Sequence, residues 1–323
     1  MESLNPEKRE LLVREEEEAS PNYGTLPHKR AIGEYLQKGI VNIDKPAGPT
    51  SHQAADWVKR ALKARKTGHS GTLDPNVTGV LPVGLNESTK VMQALLHSVK
   101  EYVGIMHLHE EVSKKGLESV FKEFTGKIYQ RPPIKSAVKR VLRTREIYYL
   151  DILEISGKDV LFKVGCEAGT YIRRLVFDIG EVLGAGAHMQ QLRRTKTGPF
   201  DETSLVTLQD LTDAYHSWKE DNDEKPLRKL VQPMEAALAH LPRIVISDTA
   251  VDYLCHGAQL AVPGILKLER GIKKGDLVAV LTQKGEGVLI GWALMKSQQM
   301  HTKRKGLAVQ TERVLMEAGT YKK

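Results

Sequence analysis

Residues 69–84 read HSGTLDPNVTGVLPVG, with one carboxylate, Asp74, in a turn punctuated by Gly and Pro. The apolar run that follows reads as a buried strand, so the charge sits at the lip of a core element. A fold can place a nucleophile or a general base at such a lip. Asp-Pro is also an ordinary turn dipeptide, in which the carboxylate accepts hydrogen bonds from nearby backbone N–H groups. Both readings of Asp74 stand on the residues alone. Other polar groups fall at the ends of expected elements, where a surface position is the ordinary reading. His52 falls in the first turn of an expected helix, Arg173 in the first turn of another, and Tyr102 near the start of a strand. An arginine beside a catalytic carboxylate would fix its orientation through a charge-assisted pair. The segment Lys127–Arg145 carries seven Lys/Arg and no acid, and Leu192–Phe200 (LRRTKTGPF) is a second acid-free basic patch. Such arrays suit phosphate contacts, although a solvated basic surface has the same composition.

These groups need elements to hold them. Gly39–Asp44 is a short apolar strand ended by Lys45, Pro46 and Gly48. Thr50 or Ser51 then caps a helix with Ala54, Ala55, Val58, Ala61 and Leu62 on one face. Gly79–Leu85 reads as a strand, Ser88–His97 as a helix and Glu101–His109 as a strand. Leu117, Val120, Phe121 and Phe124 recur at helical spacing. Ile147–Ile155 and Val160–Cys166 form a hairpin, followed by a helix after Gly169 with Thr170 as its cap, and Thr207–Lys219 is amphipathic. Beyond His240, Arg243–Ser247 and several further short strand-like runs separated by glycines read as a small β-barrel.

The chain has 323 residues, 41% hydrophobic and 27% charged, which suits two domains or one large one. Net charge is +8, distributed as −3 over residues 1–36, +5 over 37–239 and +6 over 240–323. The basic C-terminal third points to a polyanion, with nucleic acid foremost. Residues 1–36 read as an acidic arm, flexible or a solvated helix, and its charge, opposite to that of the C-terminal third, also suits wrapping around that domain. The N-terminus has no apolar signal-peptide core, no apolar run is long enough for a membrane span, and Cys166 and Cys255 have no CxxC partner. A reducing cytoplasm is the expectation. No GxGxxG, P-loop or HExxH pattern calls for a nucleotide or a metal. The fold class expected is α+β: a mixed-sheet domain over residues 37–240, then the barrel over 241–323.

Together the motifs resemble the TruB/dyskerin family of pseudouridine synthases, and within it the archaeal box H/ACA RNA-guided branch. The residues that carry the resemblance run in order. They are Asp44-Lys45-Pro46-x-Gly48-x-Thr50-Ser51-His52, GTLDPxxTGVLPV at 71–83, Lys100–Val103, Arg131-Pro-Pro with SAVKR, GTYIR at 169–173, GAHMxxLRR at 186–194 and GPF at 198–200. Residues 256–265 and 272–278 look like a PUA domain. The insertion that bacterial members carry after the proline pair is missing, which favours the guided branch. Arg174 stands where a small residue is expected.

The resemblance implies isomerisation of uridine to pseudouridine in ribosomal RNA through a guide RNA, and possibly of transfer-RNA uridine-55, with no cofactor and no metal. It implies Asp74 as nucleophile or base and Arg173 as its partner. Tyr102 would stack on the base and manage the C5 proton, over Leu192 as the pocket floor. It further implies His52, Lys45, Arg131, Lys135, Lys139, Arg140, Arg193 and Arg194 as contacts to RNA. Guide RNA, target RNA and the small proteins of the ribonucleoprotein are the implied partners. A stand-alone transfer-RNA synthase and a non-catalytic RNA-binding scaffold are the alternatives.

Overall fold

The computed structural model describes residues 9–131 and 141–321. Among these, the larger sheet runs Val231–Pro233, Gly39–Lys45, Thr78–Leu85, Ala187–Thr197, Lys100–Leu108, Asp159–Cys166, Arg143–Ser156 and Gly126–Gln130 from edge to edge. Adjacent strands are antiparallel apart from Thr78–Leu85 beside Ala187–Thr197, which meet in parallel at Thr78↔Arg193 and Gly79↔Arg194. That junction admits only glycine. Gly79 has φ +99°, and a Cβ there would lie 2.3 Å from the Arg194 carbonyl oxygen. The close approach brings the end of the Asp74 loop against Leu192–Arg194.

Side-chain alternation along the strands sorts the core into layers. Val41, Ile43, Leu81 and Val83 face Ala54, Ala55 and Val58 of the Ser51–Ala61 helix and Leu211 and Ala214 of the Leu208–Asp221 helix. Further along the sheet, Met106, Phe162 and Val164 bury Leu117 and Phe121 of the Lys114–Glu123 helix and Leu175, Val176 and Ile179 of the Ile172–Leu183 helix. Ile40 and Val80 point the other way, into a cluster with Ala279, Ile290 and Leu315 of the second sheet. The two sheets therefore share a core, and cutting the chain near residue 240 would expose apolar surface on both sides.

The second sheet orders Leu11–Val13, Ile265–Glu269, Arg243–Ile246, Leu277–Leu281, Gly287–Ala293, Leu307–Val314 and Leu260–Ala261. The α+β class with a C-terminal barrel-like sheet agrees with the expectation from sequence. The N-terminal segment is neither a flexible arm nor a solvated helix at residues 9–13, but lies along the C-terminal sheet, the other reading its charge allowed. Leu11–Val13 zips antiparallel onto Ile265–Glu269, and Leu12 packs into the second-sheet core. Arg9 bonds Glu269 at 3.1 Å and Glu10 pairs with Arg270 at 2.9 Å, so the segment is fixed by partners more than 200 residues away.

Two local expectations also change. Residues 86–97 form a 3-10 turn (Asn86–Lys90) and a short helix (Met92–Leu96), not one helix. Asn86 takes φ +47° and its side-chain oxygen accepts from the Arg65 N–H at 2.8 Å, which fixes a turn where a helix would start. Of the two caps the sequence offers for the first long helix, Thr50 is the one used, with Gln53 completing a capping box. The second change is at Thr170, which is no cap. Its hydroxyl donates back to the Glu167 carbonyl, and the helix begins after Tyr171.

Candidate active site

Asp74 sits on the loop between the strands Thr67–His69 and Thr78–Leu85. Its neighbours in the chain explain how the loop stays put. Leu73 and Val77 are 3% and 4% exposed and anchor both ends in the core, so Asp74, Pro75 and Asn76 are held out at the surface. The Val77 N–H donates to the Asp74 carbonyl at 3.0 Å, closing a turn. From behind, the Lys45 ammonium donates to the carbonyls of Pro46, Pro75 and Val77, each at 2.9 Å. The Ser51 hydroxyl accepts from the Leu73 N–H at 2.8 Å and donates to its carbonyl at 3.2 Å. At the strand end, Arg194 donates through Nε to the Val80 carbonyl at 2.8 Å and reaches the Gly71 carbonyl at 3.4 Å. Buried Lys45, Ser51 and Arg194 thus hold the loop through its backbone.

These positions correct two expectations. Lys45 is fully buried and Arg194 is 1% exposed, so neither offers its charge to an RNA phosphate. Loop carbonyls, which would otherwise be buried without donors, take those charges instead. Burial holds the Lys45 ammonium and the Arg194 guanidinium below their usual pKa ranges. Arg193 is corrected as well. Its guanidinium makes a two-pronged pair with Asp44 at 2.9 and 3.1 Å and meets Glu202 at 2.6 Å, so its charge is already matched.

Arg173 lies in the first turn of the Ile172–Leu183 helix, and its Nη2 bonds the Asp74 carboxylate. The start of that helix is pinned by Gln130, 3% exposed. The Gln130 side chain accepts from the Tyr171 N–H at 3.0 Å and donates to the Tyr171 carbonyl at 3.2 Å. The Asp74 and Arg173 side chains are 55% and 60% exposed. An ion pair that open contributes about 0–1 kcal/mol to stability, so its use is to aim the carboxylate. Arg174, the residue out of place by resemblance, turns outward. It pairs with Asp178 at 2.6 Å and its guanidinium lies 4.7 Å from the Phe177 ring centre.

Tyr102 is next to this pair on the strand Lys100–Leu108, opposite Arg194, with Gly104 opposite Leu192. These four residues share one face of the sheet. A Cβ on Gly104 would meet Leu192 Cδ1 and Phe162 Cζ at 2.9 Å, so glycine leaves room for Leu192 beside Tyr102. Tyr102 packs on the cluster that contains Leu73, Val77 and Leu192. Burial raises its phenol pKa, Arg194 opposes the rise, and the charge of Asp74 is close enough to add to it. On the other side of the loop, exposed His52 stands edge-on to His69, with ring centres 4.7 Å apart. Burial, then the neighbouring His52 and Arg194, push the His69 pKa down to about 4, so the ring is neutral.

The structure thus brings together Asp74, Arg173, Tyr102 and Leu192, with His52 nearby on the adjoining helix. Arg131 is exposed just past the Gly126–Gln130 strand. Lys135, Lys139 and Arg140 lie outside the described residues. Sequence reasoning missed Gln130 and the inward role of Ser51. Ser51 had a signal in its fixed distance from Lys45, whereas Gln130 had none.

The chain is similar to known proteins over nearly its whole length. Residues 59–172 match the profile of the TruB family pseudouridylate synthase N-terminal domain, and residues 173–239 that of the tRNA pseudouridylate synthase B C-terminal domain. Residues 242–315 match the PUA domain and residues 2–55 the DKCLD domain. The chain belongs to the TruB/dyskerin family of pseudouridine synthases. A probable tRNA pseudouridine synthase B of Methanopyrus kandleri is 58% identical over 98% of this chain and 93% of its own length. The Pyrococcus horikoshii counterpart is 57% identical over 98% and 95%. Among solved structures, one of a Cbf5-Nop10-Gar1 complex superposes with a TM-score of 0.93 at 55% identity, covering 98% of this chain and 97% of that one. Another, of an H/ACA ribonucleoprotein bound to a substrate RNA containing 2′-deoxyuridine, gives 0.90 at 53% identity over 98% and 97%. No helix among the described residues is long and apolar enough to cross a membrane.

Proposed function

We propose that this chain isomerises uridine in RNA with Asp74 as the reacting carboxylate, working with a guide RNA and small protein partners. One observation carries the reading: the half-exposed Asp74 carboxylate is paired with Arg173 and faces partly buried Tyr102, on a loop whose backbone is clamped from behind. The reaction breaks the C1′–N1 bond, turns the uracil and joins C5 to C1′. Asp74 either attacks C1′, forming a glycosyl ester, or takes a proton from C2′ to leave a glycal. In both routes uracil departs as an anion inside the pocket. It is then re-aimed against the Tyr102 ring, with Leu192 beneath. C5 bonds to C1′ as the ester C–O bond breaks and frees Asp74, or bonds to the glycal as Asp74 returns its proton to C2′. C5 then loses its proton while N1 gains one. A uridine stacked in a helix cannot reach Asp74, so the nucleotide is flipped out, with His52 placed to hold the strand around the gap.

The guided reading draws on the solved relatives, whose complexes contain Nop10, Gar1 and a substrate RNA. The curated relatives carry the name of a transfer-RNA synthase, which favours direct action on transfer RNA as a second reading. Cys166 and Cys255 are free thiols, in keeping with a reducing cytoplasm. Tritium release from [5-³H]uridine RNA, with and without a guide RNA, tests the proposal. Release only with guide supports the guided enzyme, release without it supports the stand-alone enzyme, and none in either case refutes catalysis.

A further inference from the structure

An open cleft of about 260 Å³ lies between the 3-10 turn and short helix at residues 86–96 and the last strand of the second sheet. One wall is His69, Lys90, Met92 and Leu96, and Arg313 comes across from the Leu307–Val314 strand. Both cations are uncommitted: neither Lys90 nor Arg313 makes a hydrogen bond or ion pair with the described residues. Glu312, the neighbouring acid, is already engaged by the Gln93 side-chain amide at 2.7 Å and the Trp292 indole N–H at 3.0 Å. At the back of the cleft, His69 Nδ1 and Nε2 are both shut off from solvent and both lack a partner among the described residues.

The lining narrows the ligand. Two free cations call for an anion. Met92 and Leu96 add an apolar floor, and the neutral His69 ring extends it. The cleft is smaller than the usual 300–1,000 Å³ or so of an enclosed small-molecule pocket, so it suits one unit of an extended chain. His69 touches His52 at the mouth of the active site, which puts the cleft one ring away from the Asp74 loop. We propose that the cleft is a nucleotide subsite on the RNA strand. Lys90 and Arg313 hold one phosphodiester between the two sheets, and the attached nucleoside lies on Met92 and Leu96 against the His69 ring. This rests on the reading of the chain as an RNA enzyme.

The test is RNA binding by the full chain with Lys90→Ala and Arg313→Ala combined, using an unmodified transfer-RNA transcript and a guide–target RNA pair over a salt series. One lost phosphate contact lowers the slope of log Kd against log salt by about 0.7. The expected result is that decrease, with weaker binding and an unchanged single-turnover rate at saturating RNA. Both side chains are unpaired and stand at the cleft surface, so the melting temperature of the double variant should match the parent. If the parent binds and converts RNA while the variant keeps the same slope and Kd, the subsite is refuted and the enzyme reading stands. If the parent neither binds nor converts either RNA, the enzyme reading fails and takes the subsite with it. An unchanged RNA slope together with lost binding of a glutamate-rich peptide would assign the cleft to an acidic protein, which equally overturns the proposal.

Discussion

Replacing Lys45 with Met should disarm the site without touching its chemistry. The ammonium makes three 2.9 Å hydrogen bonds to the carbonyls of Pro46, Pro75 and Val77 and is fully buried. A hydrogen bond from a charged donor contributes about 1.5–3 kcal/mol, so three give roughly 5–9 kcal/mol before costs. Against this stands the desolvation of the ammonium, several kcal/mol per buried ion, seen here in its lowered pKa. Methionine fills nearly the same volume, so no large cavity opens. The net loss is about 2–4 kcal/mol, measured as the free energy of unfolding in urea. The catalytic effect is larger than the stability effect suggests, because Pro75 directly follows Asp74. A displacement of about 1 Å at a reacting group costs on the order of 100-fold in rate. Single-turnover pseudouridine formation should therefore fall by that order, while RNA affinity and its salt dependence stay at parent values. Weakened RNA binding with a parental turnover rate would refute the reasoning, as it would mean that Lys45 meets RNA after all.

Other perturbations separate aiming from holding. Arg173→Lys should change stability by less than about 0.5 kcal/mol, since the pair is exposed, yet lower single-turnover rate roughly 10- to 100-fold because a point charge aims a carboxylate less well than a planar fork. Gln130→Leu removes both bonds to the Tyr171 backbone, so unfolding free energy should drop by about 1–3 kcal/mol and kcat should fall with RNA Kd unchanged. His240 tests pH dependence. Burial pushes its pKa from 6.5 down to about 4, with its ring bonded to the Ala94 carbonyl at 3.1 Å. The unfolded chain therefore binds the proton first, and stability is lost as pH falls from about 6.5 toward 4, by up to about 3 kcal/mol. His240→Gln should flatten that part of a urea-unfolding profile measured against pH, and an unchanged slope would assign the loss to other groups.

Much of the catalytic sheet was legible because its signals are local. Gly39–Lys45, Thr78–Leu85 and the hairpin of Arg143–Ser156 with Asp159–Cys166 carry apolar runs bounded by turn residues. What escaped was decided over long range. Lys45, Arg193 and Arg194 look alike in sequence as members of basic motifs, yet two are buried under loop carbonyls and the third is matched by Asp44 and Glu202. Nothing in a basic residue's immediate neighbours says whether it faces a phosphate or a buried carbonyl. Leu11–Val13 sits in a polar, acidic context that reads as arm or solvated helix. It becomes a strand only because Ile265–Glu269 presents an edge to it. Gln130 gains its role from Tyr171, 41 residues away, across a segment that no periodicity links.

The claim on which the rest depends is that Asp74 is the reacting carboxylate. Asp74→Asn keeps the shape of the side chain and removes its charge, and the backbone clamps of Lys45, Ser51 and Arg194 do not involve that side chain. In a single-turnover assay of pseudouridine formation with guide and target RNA at saturation, the account predicts no product from Asp74→Asn, together with parental RNA affinity. Product formed at a rate near that of the parent would contradict it.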